Sequence, residues 1–163
     1  VGPMDLTPMG CSPKKYIRTT TAAHELAAAL IFTSGLIHYA DRPEFFESLP
    51  PEALAVLRDA PARWDETRCL EGEPGKVVVF ARRTGQSWFV SGINGTSQPL
   101  PVTLDLAPFA KQMAGANSSA PRCLLIAEGN DAKMQLAVTL ASPSDHWKHE
   151  LPPRGGFILR IKN

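Results

Sequence analysis

The spacing of apolar residues along the chain changes from helical to alternating near residue 64. Residues 22–32 are rich in Ala and Leu and contain no Gly or Pro, and the preceding threonines can cap a helix start. Almost the whole circumference of this predicted helix is apolar, so we expect other parts of the protein to cover it. A second helix is predicted over 51–59, with prolines at its start and just beyond its end.

A short apolar run, residues 36–41, lies between these two predicted helices and ends in polar side chains. Such a run is typical of a buried parallel strand. Helix, strand and helix in succession indicate α/β architecture in the first part of the chain.

The second part of the chain shows the twofold alternation of antiparallel strands. Residues 76–83 and 87–93 predict a hairpin around Thr84 and Gly85. Further strands are predicted at 102–106, 123–127, 134–140 and 157–161, with loops at 111–121 and 142–156. About seven short strands separated by turns favour a small β-sandwich. We therefore place a domain boundary between residues 63 and 64.

Composition and charge exclude several classes of partner. The chain has 163 residues with 17 basic and 16 acidic side chains, so no strong field favours a nucleic acid or an anionic membrane. No apolar run reaches the ~20 residues that a membrane-spanning helix needs. The three cysteines, Cys11, Cys69 and Cys123, form no C-x-x-C pair, which argues against a disulfide framework or a zinc site. Whether Cys69 pairs with Cys123 stays open.

Three blocks of sequence together resemble glycoside hydrolase family 97, whose members include α-glucosidases and α-galactosidases. The first is GPMDLTP at 2–8, and the second runs from TTAAHELA to SGLIHYAD over 20–41. The third, over 61–95, contains WDET, ARRTG and WFVSGING. The chain departs from the family pattern at Leu6, at Thr33 and between residues 109 and 151.

The resemblance implies a fold and a role within a longer polypeptide. It implies that residues 1–63 are the last βα units of a TIM (β/α)8 barrel and that residues 64–163 form an antiparallel β-sandwich. The family's catalytic glutamates and its Ca²⁺ ion lie upstream of the first block, so neither catalytic residues nor a metal is expected in this chain. An α-linked oligosaccharide would bind through the rest of the barrel. The apolar faces of the barrel helices would either fold back on the sandwich or, left exposed, favour self-association.

Three residues are candidates for a site at the barrel mouth. Asp5 and Asp41 end apparent barrel strands, where TIM-barrel active sites are built, and glycoside hydrolysis requires paired carboxyl groups. The alternative is that both carboxylates accept backbone N–H groups of the next segment. His38 could contact substrate or a metal, or could be a core histidine with one hydrogen bond. His146 and His149 form a weak H-x-x-H metal signal in a predicted loop.

Two further motifs have both a functional and a structural interpretation. Trp64, Asp65 and Glu66 could form a sugar subsite. The tryptophan could instead wedge between the two domains, with the carboxylates pairing Arg63 or Arg68. Asn94 and Asn117 lie in glycosylation sequons, and Asn94 with Gly95 also predicts a turn.

Two functions of different class follow for the chain itself. The leading hypothesis is a structural buttress that completes the barrel wall of an α-glycosidase. The competing hypothesis is a carbohydrate-binding module in which Trp88 or Trp147 stacks on a sugar. An exposed indole would favour sugar binding, whereas burial of both indoles would remove the sequence support for it. The sequence leaves open the choice between glucosides and galactosides, the stereochemical outcome and the cellular compartment.

Overall fold

The computed structural model describes residues 5–8, 18–32, 34–114, 121–129 and 135–163. These ranges contain four helices, α1 (Ala22–Ile31), α2 (Pro43–Ser48), α3 (Pro51–Asp59) and α4 (Ala107–Met113). They also contain eight strands, β1 (Glu66–Glu73), β2 (Val77–Thr84), β3 (Ser87–Asn94), β4 (Leu100–Leu104), β5 (Arg122–Glu128), β6 (Leu136–Leu140), β7 (Trp147–Leu151) and β8 (Gly156–Lys162).

The strands form one large and one small antiparallel sheet. The large sheet has the order β1-β2-β3-β8-β5-β6, and the small sheet pairs β4 with β7. The hairpin of β2 and β3 is confirmed, with Thr84 opposite Ser87. The antiparallel sandwich is therefore present, but one sheet has three times as many strands as the other.

Both faces of the large sheet are covered, which gives the molecule two apolar clusters. On one face, Trp88, Val90 and Leu159 pack with α4 and the small sheet. On the other face, Phe89 and Ile158 pack with α1, α2 and α3. Because successive residues of a strand point to opposite faces, both members of the Trp88–Phe89 pair are buried.

Helix α1 forms where the sequence predicts it, and the large sheet covers it. Thr21 Oγ1 accepts a hydrogen bond from the backbone N–H of His24 at 3.1 Å, which caps the start of the helix. Eight of its ten residues are buried. Of the two predicted outcomes for this helix, folding back on the sandwich and self-association, α1 shows the first, because its apolar surface is packed on β3, β5 and β8.

Four elements differ from the sequence prediction, and one of them is β1, where no strand was predicted. Helix α2 is too short to show a helical period, and α4 begins just before a segment predicted to be a loop. Asp105 Oδ1 accepts the Ala107 N–H at 3.0 Å near the start of α4, and Phe109 and Met113 bury one face of it. Strand β7 lies within the predicted loop 142–156, because tertiary pairing with β4 decides its conformation.

The predicted barrel strand at 36–41 appears as a single parallel bridge between Leu6 and Ile37. The Leu6 N–H donates to Leu36 O at 3.1 Å, and the His38 N–H donates to Leu6 O at 2.8 Å. The described residues do not show a portion of a TIM barrel beyond this pairing. The predicted boundary between residues 63 and 64 lies in the link between α3 and β1, and it remains a prediction.

The cysteines and the hydropathy of the helices complete the description. Cys69 is an exposed free thiol and Cys123 a buried one, so the two do not pair. Burial raises the pKa of the Cys123 thiol to about 11, which makes it a poor nucleophile. Cys11, Asn117 and the first three residues of the first resemblance block lie outside the described residues. Among the helices described, none is long and apolar enough to cross a membrane.

Candidate functional site

The three barrel-mouth candidates lie at the parallel bridge and just after it. Asp5 Oδ2 is 4.0 Å from His38 Nε2, and both side chains are more than half exposed. Asp41 Oδ1 accepts the N–H of the next residue, Arg42, at 2.8 Å, and α2 begins without a hydrogen bond from a capping side chain. A catalytic or substrate-binding role for these residues remains a prediction.

Nothing in the described part of the chain gathers three or more His, Cys, Asp or Glu side chains into a group that could hold a metal ion. His146 and His149 occupy different surroundings. The exposed His146 ring pairs with Asp145 at 3.2 Å, whereas His149 on β7 stacks against Trp147 with ring centroids 5.4 Å apart. The described residues therefore do not fit the Ca²⁺ ion that the resemblance implies for the parent.

Neither candidate tryptophan offers a ring face to a sugar. Trp88 has no exposed surface, donates its Nε1–H to Gln112 Oε1 at 3.2 Å and packs edge-on against Phe109. Trp147 is 8% exposed and packs between His149 and Phe157. Their assignment as substrate-binding residues has no support in the described structure, because a stacking platform must be open to solvent.

The Trp64 motif joins the helices to the sheet. Trp64 packs edge-on against Phe89 at 5.6 Å and belongs to the cluster shared with α1 and α3. The predicted pairing of Glu66 with Arg68 is present at 2.6 Å, and this hydrogen bond lowers the pKa of Glu66. Asp65 pairs instead with Arg83, at 3.4 Å, which the sequence could not show because β1 and β2 bring these residues together.

A row of three residues across the sheet anchors the helix ends, and sequence reasoning missed it. Arg82, Phe89 and Arg160 are register neighbours on β2, β3 and β8. Arg82 Nη2 donates to the carbonyl of Ile31, the last residue of α1, at 2.8 Å. Arg160, with its side chain almost fully buried, forms an ion pair with Asp59, the last residue of α3. Cations at helix C-termini are stabilised by the exposed carbonyl groups there.

A second polar cluster anchors the start of α1. Glu128 Oε1 accepts from Thr21 Oγ1 at 2.5 Å and from the Gly156 N–H at 2.8 Å. His24 Nδ1 lies 3.2 Å from the carbonyl oxygen of Gly155. Burial lowers the pKa of His24, so the neutral imidazole is favoured here. This cluster docks the start of α1 on the large sheet.

Asn94 connects three segments at the end of β3. Its Nδ2 donates to the carbonyls of Gln98 and Pro152 at 2.7 and 3.0 Å, and its Oδ1 accepts from both N and Oγ1 of Thr96 at 2.8 Å. The residue is completely buried. A glycan on Asn94 is therefore incompatible with this fold, and the predicted turn is held by the side chain itself.

Comparison with known proteins gives a consistent result. A family model described as "Glycosyl-hydrolase 97 C-terminal, oligomerisation" matches residues 63–162. The chain is 36% identical over 92 residues to a probable retaining alpha-galactosidase of Streptomyces bingchenggensis, covering 56% of this chain and 14% of that protein. It is 29% identical over 142 residues to a retaining alpha-galactosidase of Bacteroides thetaiotaomicron, covering 87% of this chain and 21% of that protein.

Solved structures share the fold. A beta-arabinopyranosidase superposes with a TM-score of 0.69 at 27% identity, over 88% of this chain and 21% of that chain. A glycoside hydrolase family 97 enzyme of a Pseudoalteromonas species superposes with a TM-score of 0.69 at 23% identity, over 88% of this chain and 23% of its own. The chain thus spans about a fifth of these proteins, and the matched region is a non-catalytic domain of such enzymes. Since the family model covers more than half of it, the chain belongs to glycoside hydrolase family 97, as its C-terminal portion.

Proposed function

We propose that this chain buttresses the catalytic (β/α)8 barrel of a longer α-glycosidase. The observation that carries the proposal is the attachment of the N-terminal helices to the large sheet. Arg82 holds the last turn of α1, and Arg160 holds the end of α3, so both helix ends are tied to the central strands. Because the large sheet fixes the positions of these helices, it would also restrain the barrel wall to which we assign them.

The parallel bridge supports assignment of residues 5–41 to a barrel wall. All of the ladders within the two sheets are antiparallel, whereas Leu6 and Ile37 pair in parallel. Parallel pairing separated by a helix is typical of βα units. Phe32 and Leu36, each about half exposed, lie between α1 and this bridge and offer apolar surface to an upstream neighbour.

We assign the chemistry to residues outside this chain. Glycoside hydrolysis uses two carboxyl groups facing each other across the scissile bond. In the described residues Asp5 lies beside His38, and Asp41 accepts the N–H of its own neighbour. The parent's Ca²⁺ remains an expectation of the family resemblance, and we derive no step through it.

The substrate class proposed for the parent is an α-galactoside. This proposal is supported by two similar proteins described as retaining alpha-galactosidases. α-Glucosides are the other class that the resemblance implies. Hydrolysis of p-nitrophenyl α-galactoside and α-glucoside by the parent would distinguish the two.

Deletion of residues 64–163 from the parent tests the buttress. We expect a lower melting temperature and reduced hydrolysis, because the ends of α1 and α3 lose their anchors. Asp59→Asn, which weakens a single anchor, should lower the melting temperature less than the deletion does. A truncated parent with unchanged melting temperature and activity would contradict the proposal.

A further inference from the structure

The two edges of the large sheet differ sharply in how they are protected. The β1 edge has charged side chains at four of its eight positions, and its register is interrupted by a bulge between Cys69 and Glu71. Charges and bulges are common devices that prevent an edge strand from pairing with another chain. Strand β6, at the other edge, has the sequence LAVTL, with neither charge nor proline, and its regular register with β5 shows no bulge.

The outer side of β6 presents unpaired backbone groups, as two hydrogen bonds show. The Gly129 N–H donates to Gln135 O at 3.0 Å, and the Ala141 N–H donates to Cys123 O at 2.9 Å. Along an antiparallel strand, the backbone N–H and C=O groups of successive residues point alternately to the two neighbouring strands. The backbone groups of the odd-numbered residues of β6 therefore point to β5. The N–H and C=O groups of Leu136, Val138 and Leu140 therefore point away from the sheet. Among the described strands, none pairs with this edge.

We propose that β6 is a self-association surface on which a second copy of this chain pairs antiparallel through its own β6. A two-fold axis at Val138 places Val138 opposite its counterpart and Leu136 opposite the other copy's Leu140. This register uses the outward groups of all three residues, and a shift by two positions leaves some of them unpaired. It also covers Leu140, which is 75% exposed.

The choice of a second copy rests on the matched family model and on the strand itself. The domain that matches residues 63–162 is described as an oligomerisation domain. An uncharged strand with a palindromic set of outward residues is complementary to itself, as an isologous contact requires. Three residue pairs bury far less than the ~1,200 Å² of a standard interface, so association of this chain should depend strongly on concentration. The inference is independent of the proposed catalytic role of the parent.

Amide exchange measured residue by residue tests the geometry without any substitution. In a dilute sample of the full 163-residue chain, the amides of Ala137 and Thr139 should be protected by β5, and those of Val138 and Leu140 should exchange fast. At about 1 mM, in the range of weak association, Val138 and Leu140 should become protected as the dimer forms. Fast exchange of both amides at every concentration would overturn the proposal.

Two variants and a control test the surface by sedimentation equilibrium. Leu140→Pro removes an outward N–H without removing a bond to β5, and Leu140→Lys adds a charge to the edge. Both should abolish the dimer and leave the circular dichroism spectrum unchanged. Thr67→Lys makes the same charge change at an exposed position of β1 and should leave dimerisation intact.

These experiments distinguish pairing of β6 with a second copy from a contact elsewhere on the chain and from coverage of β6 by an upstream segment. A dimer that persists in both Leu140 variants, or that Thr67→Lys abolishes, would place the contact elsewhere and overturn the proposal. Protection of Val138 and Leu140 at all concentrations in the parent, but not in this chain, would show that an upstream segment covers β6, and it would also overturn the proposal.

Discussion

At the scale of single residues, buried and partly buried polar side chains join segments that are distant in sequence. Asn94, Glu128 and Arg160 each bond to a segment that the sequence alone gave no reason to place beside them. A buried polar group is costly unless its hydrogen bonds are made, so each of these residues constrains its neighbours as well as itself. Their contribution is therefore to the relative placement of elements.

Asn94→Ala should destabilise the chain by about 2 kcal/mol, because it removes the acceptor of the Thr96 N–H and one donor from each of the carbonyls of Gln98 and Pro152. Each carbonyl keeps its other donor, Thr96 Oγ1 for Gln98 and the Gly155 N–H for Pro152. Urea unfolding followed by tryptophan fluorescence measures this change. Asn94→Asp keeps the oxygen that accepts from Thr96 and loses the N–H groups that donate to Gln98 and Pro152. This variant therefore measures the contribution of the donated hydrogen bonds separately. A change within 0.5 kcal/mol for Asn94→Ala would contradict the structural role.

Two partly buried histidines predict loss of stability in mild acid. Burial lowers the pKa of both His24 and His149 below 6.5, the value ordinary for the unfolded chain. The unfolded state therefore binds more protons, and stability is full above pH 6.5 and falls as the pH drops from 6.5 through the folded pKa values. The urea midpoint should decrease between pH 7.5 and 5.5. The double variant His24→Gln, His149→Gln should show a smaller decrease, and an equal decrease would exclude these groups as the cause.

At the scale of elements, the contact between α1 and β8 depends on a glycine. A Cβ atom on Gly156 would lie 2.7 Å from His24 Cα and 2.9 Å from Ala23 O, both backbone atoms of the helix start. The sheet and the helix can approach this closely only where no side chain intervenes. Arg82 and Arg160 hold the C-terminal ends of α1 and α3.

Gly156→Ala should therefore displace α1 and cost about 2 kcal/mol, within the usual range for overpacking. Gly35→Ala is the matched control, because a Cβ there meets nothing within 4 Å, and it should be close to neutral. Thermal unfolding of both variants measures the difference. Equal melting temperatures would show that the helix tolerates the added methyl group.

At the scale of the whole molecule, the buried indoles argue against sugar binding by this chain. Calorimetric titration with melibiose or maltose should give no heat beyond dilution, because Trp88 and Trp147 present no open ring face. Purified chain should also leave p-nitrophenyl α-galactoside intact. Saturable heat with either sugar would revive the carbohydrate-binding hypothesis.

The sequence by itself determined the locally coded elements. Helices α1 and α3 and the β2–β3 hairpin were predicted within one or two residues, because caps, prolines and turn residues act over short distances. The motif blocks also indicated the family. Local patterns were too weak for α2, α4 and β7, which are short and depend on their neighbours for burial.

Only the tertiary structure decided how these elements meet. The covering of both sheet faces, which buries Trp88 and Phe89 together, depends on helices and strands far apart in the chain. The pairings of Asp59 with Arg160 and of Thr21 with Glu128 each span about a hundred residues. No periodicity encodes such pairings, because they form only when chain folding brings polar groups from distant parts of the sequence into contact.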